Sequence, residues 1–186
     1  MVQTQDSAPI LDVCTGTGDL AFAFHRRTKG RLPVIGTDFC KEMLAVGEAK
    51  KQRRGIRDEL TFVAADAQDL PFSDNHFQIV SVAFGLRNIA DTDRGLREMT
   101  RVCQPRGQVA ILEFSIPAWQ PFKMLYGWYF RHVLPRLGQL LARNREQAYN
   151  YLPQSVSEFP SGAALAQRMR QAGLQEVRFH PLTLGI

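Results

Sequence analysis

Short apolar runs alternate along the chain with glycine- or acid-bearing turns and with longer stretches of mixed character. Residues 9–11 read as a buried strand, and residues 20–24 begin an apolar helix. Residues 33–37 form a second strand ending at Asp38, and residues 41–54 a helix with Met43, Leu44 and Val46 among its apolar positions. Residues 60–64 make a third strand, followed by Asp66. Residues 77–84 are almost continuously apolar, as in a strand buried on both faces of a parallel sheet. A helix over 91–103 has Asp93 near its start; Pro105-Arg-Gly107 turns the chain into a fifth strand over 108–114. This alternation predicts an α/β fold: a doubly wound, mostly parallel, Rossmann-like sheet with right-handed crossovers.

After Phe114 the pattern changes. Residues 119–141 are helical in character, interrupted at Pro135. A further helix over 161–172 closes at Gly173, and residues 175–181 read as a sixth strand. At 186 residues the chain is one domain, residues 1–186, with 119–151 as a helical insertion. Hydrophobic residues make up 45% and aromatic residues 10%, enough for a core and against disorder. Cys14, Cys40 and Cys103 match neither a disulfide framework nor a metal-ligand spacing, which suggests a reducing, cytoplasmic setting. No run reaches the length of a membrane span, and no signal peptide is evident.

The net charge is +5. Much of the excess reads as lying between Trp119 and Tyr151, where Lys123, Arg131, Arg136, Arg143 and Arg145 face a single acid, Glu146. Both tryptophans and all four tyrosines share that segment. A basic excess admits nucleic acid as a partner, but cations mixed with Trp and Tyr suit an anionic membrane surface better. An ordinary helical cap on the sheet explains the same residues.

Candidate chemistry centres on Asp12-Val-Cys-Thr-Gly-Thr-Gly-Asp19. Strand, glycine turn and helix bring backbone N–H groups and a helix N-terminus against a ligand. Gly16 and Gly18 permit the sharp turn and the close approach. Gly16-Thr-Gly18-Asp-Leu-Ala21 satisfies a dinucleotide-binding fingerprint, so the loop alone admits an NAD-type oxidoreductase. Asp12 shifts the balance: a carboxylate there repels a pyrophosphate but attracts the ammonium and sulfonium of S-adenosylmethionine. Asp38, closing the second strand, can accept from both ribose hydroxyls in either cofactor class, or cap the next helix. Asp66 and Ala67 follow the third strand as an acid and a backbone N–H suited to an adenine edge. Asp12, Asp38 and Asp66 thus form a convergent set at strand ends, where open α/β sheets bind ligands.

Phe84-Gly-Leu-Arg-Asn88 follows the fourth strand, and Arg87 and Asn88 carry donors for an anionic oxygen on an acceptor. The Asn/Asp-Pro-Pro-aromatic element of many nucleic-acid methyltransferases does not occur here. No cluster of His, Cys and carboxylates suits a metal.

Phe84-Gly-Leu-Arg-Asn88, Leu96-Arg-Glu-Met-Thr-Arg-Val102, Pro105 and Leu112-Glu-Phe-Ser115 resemble the quinone-biosynthesis C-methyltransferases, the menaquinone and ubiquinone methyltransferases. The similarity extends over Phe130-Arg-His-Val-Leu-Pro135 and Leu182-Thr-Leu-Gly185. It implies a class I S-adenosylmethionine-dependent methyltransferase with cofactor contacts at Thr17, Asp38, Asp66, Ala67 and Ala83. It also implies a polyprenylated quinol substrate, most simply demethylmenaquinol, with the ubiquinone-pathway 2-methoxy-6-polyprenyl-1,4-benzoquinol as alternative. Arg87, helped by Asn88, is the first candidate to stabilise the phenolate that activates the ring carbon; Glu113 and His132 are weaker candidates for proton transfer. The lipid substrate suggests peripheral contact with the inner face of a membrane through 119–151. A homodimer is compatible with the sequence, which does not fix the oligomeric state. Family members carry Lys-Pro-Gly-Gly where this chain has Gln104-Pro-Arg-Gly107. They also carry an N-terminal helical Tyr-Asp-x-Met-Asn segment and a last strand, so the chain is expected to be part of a longer natural protein.

Overall fold

The computed structural model describes residues 8–115, 155–156 and 158–182. Five strands form one parallel sheet: β1 (Ile10–Val13), β2 (Val34–Asp38), β3 (Leu60–Ala64), β4 (Phe77–Ala83) and β5 (Cys103–Leu112). Between them run α1 (Asp19–Thr28), α2 (Lys41–Arg53) and α3 (Thr92–Val102), with a single 3-10 turn at Leu86–Asn88. The strand order β3-β2-β1-β4-β5 reverses direction of growth between β1 and β4. That is the switch point, where the loops after β1 and β4 diverge and leave a crevice.

β1 is buried along its whole length because it is central and covered on both faces. Ile10, Leu11, Val13, Val80, Val82, Phe77 and Leu60 are essentially inaccessible; each such side chain contributes about 1.5–3 kcal/mol by burial. α3 is fixed by its sequence at both levels. Asp91 caps it by accepting from the Arg94 N–H at 2.9 Å, and Gly95, Leu96, Met99 and Val102 repeat at helical spacing on its buried face.

The predicted elements from β1 to α3 recur within a residue or two of their expected bounds, and two expectations are corrected. β5 begins at Cys103, not at residue 108, because the strand opens before its turn. Phe77 pairs with Cys103 and Ile79 with Gln108, so residues 104–107 bulge out of the ladder. Arg106 takes φ 68° in that bulge, a left-handed conformation that glycine adopts more cheaply. The sixth strand is not formed. Glu176 adopts φ 51°, which breaks an extended path at its start, Pro181 offers no N–H to a ladder, and Phe179 stays half-exposed.

The chain divides into two units, residues 1–113 with 168–175, and residues 114–167 with 176–186. The first holds the sheet and α1–α3. In the second, Phe179 packs near Gly162 just before α4 (Ala163–Gln171), a helix shorter at each end than the expected 161–172. The insertion over 119–151, with His132, lies outside the described residues. Charge is not concentrated in that segment alone: Arg26, Arg27, Lys29, Arg31, Arg53, Arg54 and Arg57 are all exposed in and after the last turns of α1 and α2. There they complement the helix dipoles, and Arg54 also covers the Phe22 ring at 4.2 Å.

Candidate functional site

Sheet register builds the site from below. Asp12 of β1 lies opposite Ser81 of β4, and their side chains share a face. The Asp12 carboxylate, 1% exposed, accepts from Ser81 Oγ at 2.9 Å and from Thr15 Oγ1 at 2.6 Å, while the Ala21 N–H donates to it as well. Burial outweighs these bonds and the carboxyl is raised to about 6, with the Asp38 charge adding to the rise. Asp12 therefore lies beneath the glycine loop and fixes it from inside, ionised at neutral pH in a poorly solvated place.

Asp38 ties the loop from the side. Its Oδ2 accepts from the Gly16 N–H at 2.8 Å and its Oδ1 from the Cys40 N–H at 2.9 Å, joining the glycine loop to the start of α2. Gly18, at φ 84°, precedes α1. A Cβ there would stand 2.5 Å from Phe62 Cζ, and a Cβ on Gly36 would be 2.9 Å from Phe62 Cδ1, so two glycines make room for one ring. Phe62 meets Phe22 edge-on at 5.9 Å and so transmits the position of α1 to the loop. Thr17 is held from α2: its Oγ1 accepts from Lys50 Nζ at 2.7 Å, and Lys50 also reaches Asp19 Oδ1 at 2.8 Å.

Asp66 and Ala67 open the loop between β3 and β4. The Asp66 carboxylate is exposed and accepts from the backbone and side chain of Gln68, which hold it below the usual carboxylate range. Ala67 is buried, and Gln68 Oε1 accepts from the Asp91 N–H at 2.9 Å, docking this loop on α3. Ala83 ends β4. Phe84 follows at φ 58° with its N–H on Leu112 O at 2.8 Å. Next to it Gly85 packs against Cys14, itself at φ 54°; a Cβ on Gly85 would stand 2.3 Å from Cys14 Cβ.

Arg87 sits on the 3-10 turn with Asn88. Its guanidinium donates to Glu113 Oε2 at 2.7 Å and to Phe84 O at 2.8 Å, and both charged side chains are almost fully buried, at 9% and 4% exposed. The pair clamps the ends of β4 and β5 together. Asn88 donates its N–H to Gly85 O at 3.0 Å, closing the turn.

Cys14 gives the electrostatic reading of the crevice. Its thiol is pushed up to about 12, first by burial and then by Asp38, Asp12, Glu113 and Asp66. The thiol is therefore inert as a nucleophile, and Asp12 and Asp38 at the glycine loop leave the crevice hostile to a pyrophosphate. A ligand carrying an ammonium and a sulfonium fits that field. Phe39, Met43, Phe84 and Leu112 stay 40% or more exposed around the same strand ends, an apolar rim beside the acidic floor.

The structure thus gathers Asp12, Gly16, Thr17, Gly18, Asp38, Asp66, Ala67 and Ala83 at the carboxyl ends of β1–β4. Sequence reasoning missed Ser81, Thr15, Lys50 and Phe62. Ser81 and Phe62 carry no local signal, because only strand pairing and helix packing bring them to the loop. No group of side chains among the described residues could hold a metal ion.

A Rossmann-like sheet, a glycine loop over a buried acid and a second acid closing β2 define an S-adenosylmethionine-dependent methyltransferase. The model of the ubiE/COQ5 methyltransferase family matches residues 1–186, and the chain belongs to that family. It is accordingly a C-methyltransferase of quinone biosynthesis. A ubiquinone/menaquinone biosynthesis C-methyltransferase of Geotalea daltonii is 43% identical over 177 residues, covering 95% of this chain and 74% of the relative. A demethylmenaquinone methyltransferase of Thermus thermophilus is 45% identical over 177 residues, covering 95% and 78%. One of Bacteroides fragilis is 40% identical over 178 residues, covering 95% and 71%. Among solved structures, a putative methyltransferase of Bacillus halodurans aligns with TM-score 0.56 at 26% identity, over 69% of this chain and 55% of that one. A SAM dependent methyltransferase of Aquifex aeolicus shares the fold at TM-score 0.55 and 21% identity, over 60% and 59%.

Proposed function

We propose that the chain methylates a ring carbon of demethylmenaquinol, the polyprenylated naphthoquinol that becomes menaquinol. The observation that carries this reading is the pair of acids at the switch point, Asp12 beneath the glycine loop and Asp38 bonded to its Gly16 N–H, beside an apolar rim. The acids suit the cationic cofactor, and Phe84 and Leu112 suit a flat apolar ring next to it. S-adenosylmethionine, when bound, supplies an electrophilic methyl group. The protein's part is mostly positioning: the ring carbon must lie in line with that methyl while the neighbouring hydroxyl loses its proton. Carbon–carbon bond formation and sulfur–carbon cleavage then balance; the methylated ring carbon loses its proton and the oxygen regains one, which restores the quinol with a net release of one proton.

In this reading Asp38 accepts from the ribose hydroxyls, Asp66 and the Ala67 N–H meet the adenine edge, and Gly16, Thr17, Gly18 and Ala83 line the cofactor. Asp12 acts through its charge and through the loop it holds. Arg87 donates to Glu113 and Phe84 O, so it serves the phenolate by holding the β4 turn in place, with Asn88 beside it on the same turn. The relatives' names favour a naphthoquinol, since both names include menaquinone. The joint ubiquinone/menaquinone name of the Geotalea relative supports a second reading, in which one enzyme serves both quinols. With the family established, the oxidoreductase alternative falls away.

Among the described residues no helix is long and apolar enough to cross a membrane. Peripheral contact through 119–151 is the arrangement we favour for a substrate with a polyprenyl tail. The test is methyl transfer to demethylmenaquinol and to the benzoquinol in parallel, each presented in vesicles of anionic and of neutral lipid. Higher kcat/KM on the naphthoquinol, with turnover increased by anionic lipid, is expected; preference for the benzoquinol would reverse the substrate assignment.

A further inference from the structure

The segment Leu96-Arg-Glu-Met-Thr-Arg-Val102 lies on α3, outside the crevice, and carries a dense polar arrangement of its own. Arg101 has five N–H donors in a rigid fork. Each meets an acceptor. Nε donates to Glu98 Oε1 at 2.8 Å and Nη2 to Glu98 Oε2 at 2.7 Å, a bidentate pair along one helix face. Nη2 also donates to Leu70 O at 2.9 Å, while Nη1 donates to Phe72 O at 2.7 Å and Asp74 Oδ1 at 2.8 Å.

Glu98 completes the arrangement by accepting from the Leu70 N–H at 2.9 Å. Both backbone groups of Leu70 are therefore held by one ion pair, and Leu70 itself is buried at 3% exposed. Farther along, the N–H groups of Asn75 and His76 bond to the carbonyls of Arg101 and Val102 at 2.9 and 2.8 Å. These contacts fix residues 70–76 on α3. The Asp69 N–H closes back on Asp66 O at 3.0 Å, so the position of Leu70 sets that of Asp66 and Ala67.

We infer that Glu98 and Arg101 are positioning residues for adenine recognition: the pair locks the β3–β4 loop so that Asp66 and the Ala67 N–H face the base. This rests on the reading of Asp66 and Ala67 as the adenine contacts. A lysine cannot replace Arg101, because one ammonium cannot serve Glu98, Leu70, Phe72 and Asp74 together in a planar fork. Hypoxanthine is the informative probe, since it inverts the donor and acceptor on the edge that Asp66 and Ala67 would read.

The experiment is calorimetric titration of the chain with S-adenosylhomocysteine and with S-inosylhomocysteine, alongside KM and kcat for methyl transfer. The native chain prefers the adenine compound by about 10–100-fold, as expected for two reversed hydrogen bonds. Arg101→Lys and Glu98→Gln, each checked by thermal melt to be folded at the assay temperature, should reduce that ratio to about threefold or less. KM for S-adenosylmethionine should rise while kcat holds. If Arg101→Lys does not fold, Glu98→Gln carries the test, because it keeps the shape and one acceptor for Leu70. An undiminished ratio in the folded variants would overturn the inference. Asp66→Asn separates the two levels. If it leaves the ratio intact, the adenine assignment is wrong; if it abolishes the ratio while Arg101→Lys keeps it, the positioning role alone is wrong.

Discussion

Lowering the pH from 7.5 to 5 should weaken cofactor binding about tenfold, through Asp12 alone. The carboxyl is raised from 3.8 to about 6 because it is buried, and the Thr15, Ser81 and Ala21 donors recover only part of its lost hydration. A bound ammonium and sulfonium favour the ionised form and return it toward 3.8. The free protein then holds a proton at pH 5 that the complex must release, and the ratio of binding constants is about ten at pH 5 and close to one at pH 7.5. That is about 1.4 kcal/mol. The cofactor's own amine, titrating near 7.7–8.0, is about 60–75% charged at pH 7.5 and fully charged at pH 5, so it opposes the Asp12 effect by less than about twofold. Asp12 does not itself unfold the protein at pH 5. A raised carboxyl contributes stability that is present below about 3.8 and lost as the pH rises through about 6. The assay is calorimetry with S-adenosylmethionine, which carries both charges, at half-unit pH steps in buffers of different ionisation enthalpy, which count the released proton. Asp12→Asn should bind more weakly at neutral pH and show a flat profile. A dissociation constant unchanged between pH 7.5 and 5, with no proton released, would refute the charge argument for this loop.

Gly85→Ala should destabilise the protein by about 2–3 kcal/mol, because its Cβ meets Cys14 Cβ and neither backbone can retreat. Cys14→Gly in the same chain should recover most of that loss, and chemical denaturation of the four-member cycle checks the coupling. Arg106→Gly should stabilise by about 0.5–1 kcal/mol, since φ 68° no longer strains a side-chain-bearing residue; a lower melting temperature would show that Arg106 contributes more through contacts than it costs in strain. Glu113→Gln should cost about 3–5 kcal/mol by leaving Arg87 charged and buried, while Arg87→Met with Glu113→Leu should be far less harmful to folding than either alone. Turnover should fall in each of these variants of the Arg87–Glu113 pair, as the β4 turn loses its clamp.

Much of the fold was legible because its signals are local. The apolar run over 77–84 announces a central parallel strand, and the spacing of Leu96, Met99 and Val102 with Asp91 before them announces α3. The strand-end acids were legible for the same reason: a glycine loop after one strand and an aspartate closing the next are read within a few residues. What the sequence did not disclose depends on contacts between distant segments. Ser81 supports Asp12 only through the β1–β4 register, and Phe62 fills the space left by Gly18 and Gly36 only when α1 and α2 pack on the sheet. Arg87 and Glu113 read as separate chemical candidates because 26 residues part them, whereas β4 and β5 lie side by side and the two form one buried pair. The expected sixth strand failed for a backbone reason, the turn at Glu176, which composition and alternation do not register.

In the proposed function the acidic crevice delivers a methyl group to a quinol carbon. This transfer is tested most directly by incubating the chain with trideuteromethyl-labelled S-adenosylmethionine and reduced demethylmenaquinone, then identifying the product by mass spectrometry and oxidation. The label should appear on a ring carbon, and the product should still oxidise to a quinone because both hydroxyls are free. A labelled ether that resists oxidation, or no transfer from a chain that binds the cofactor, would contradict it.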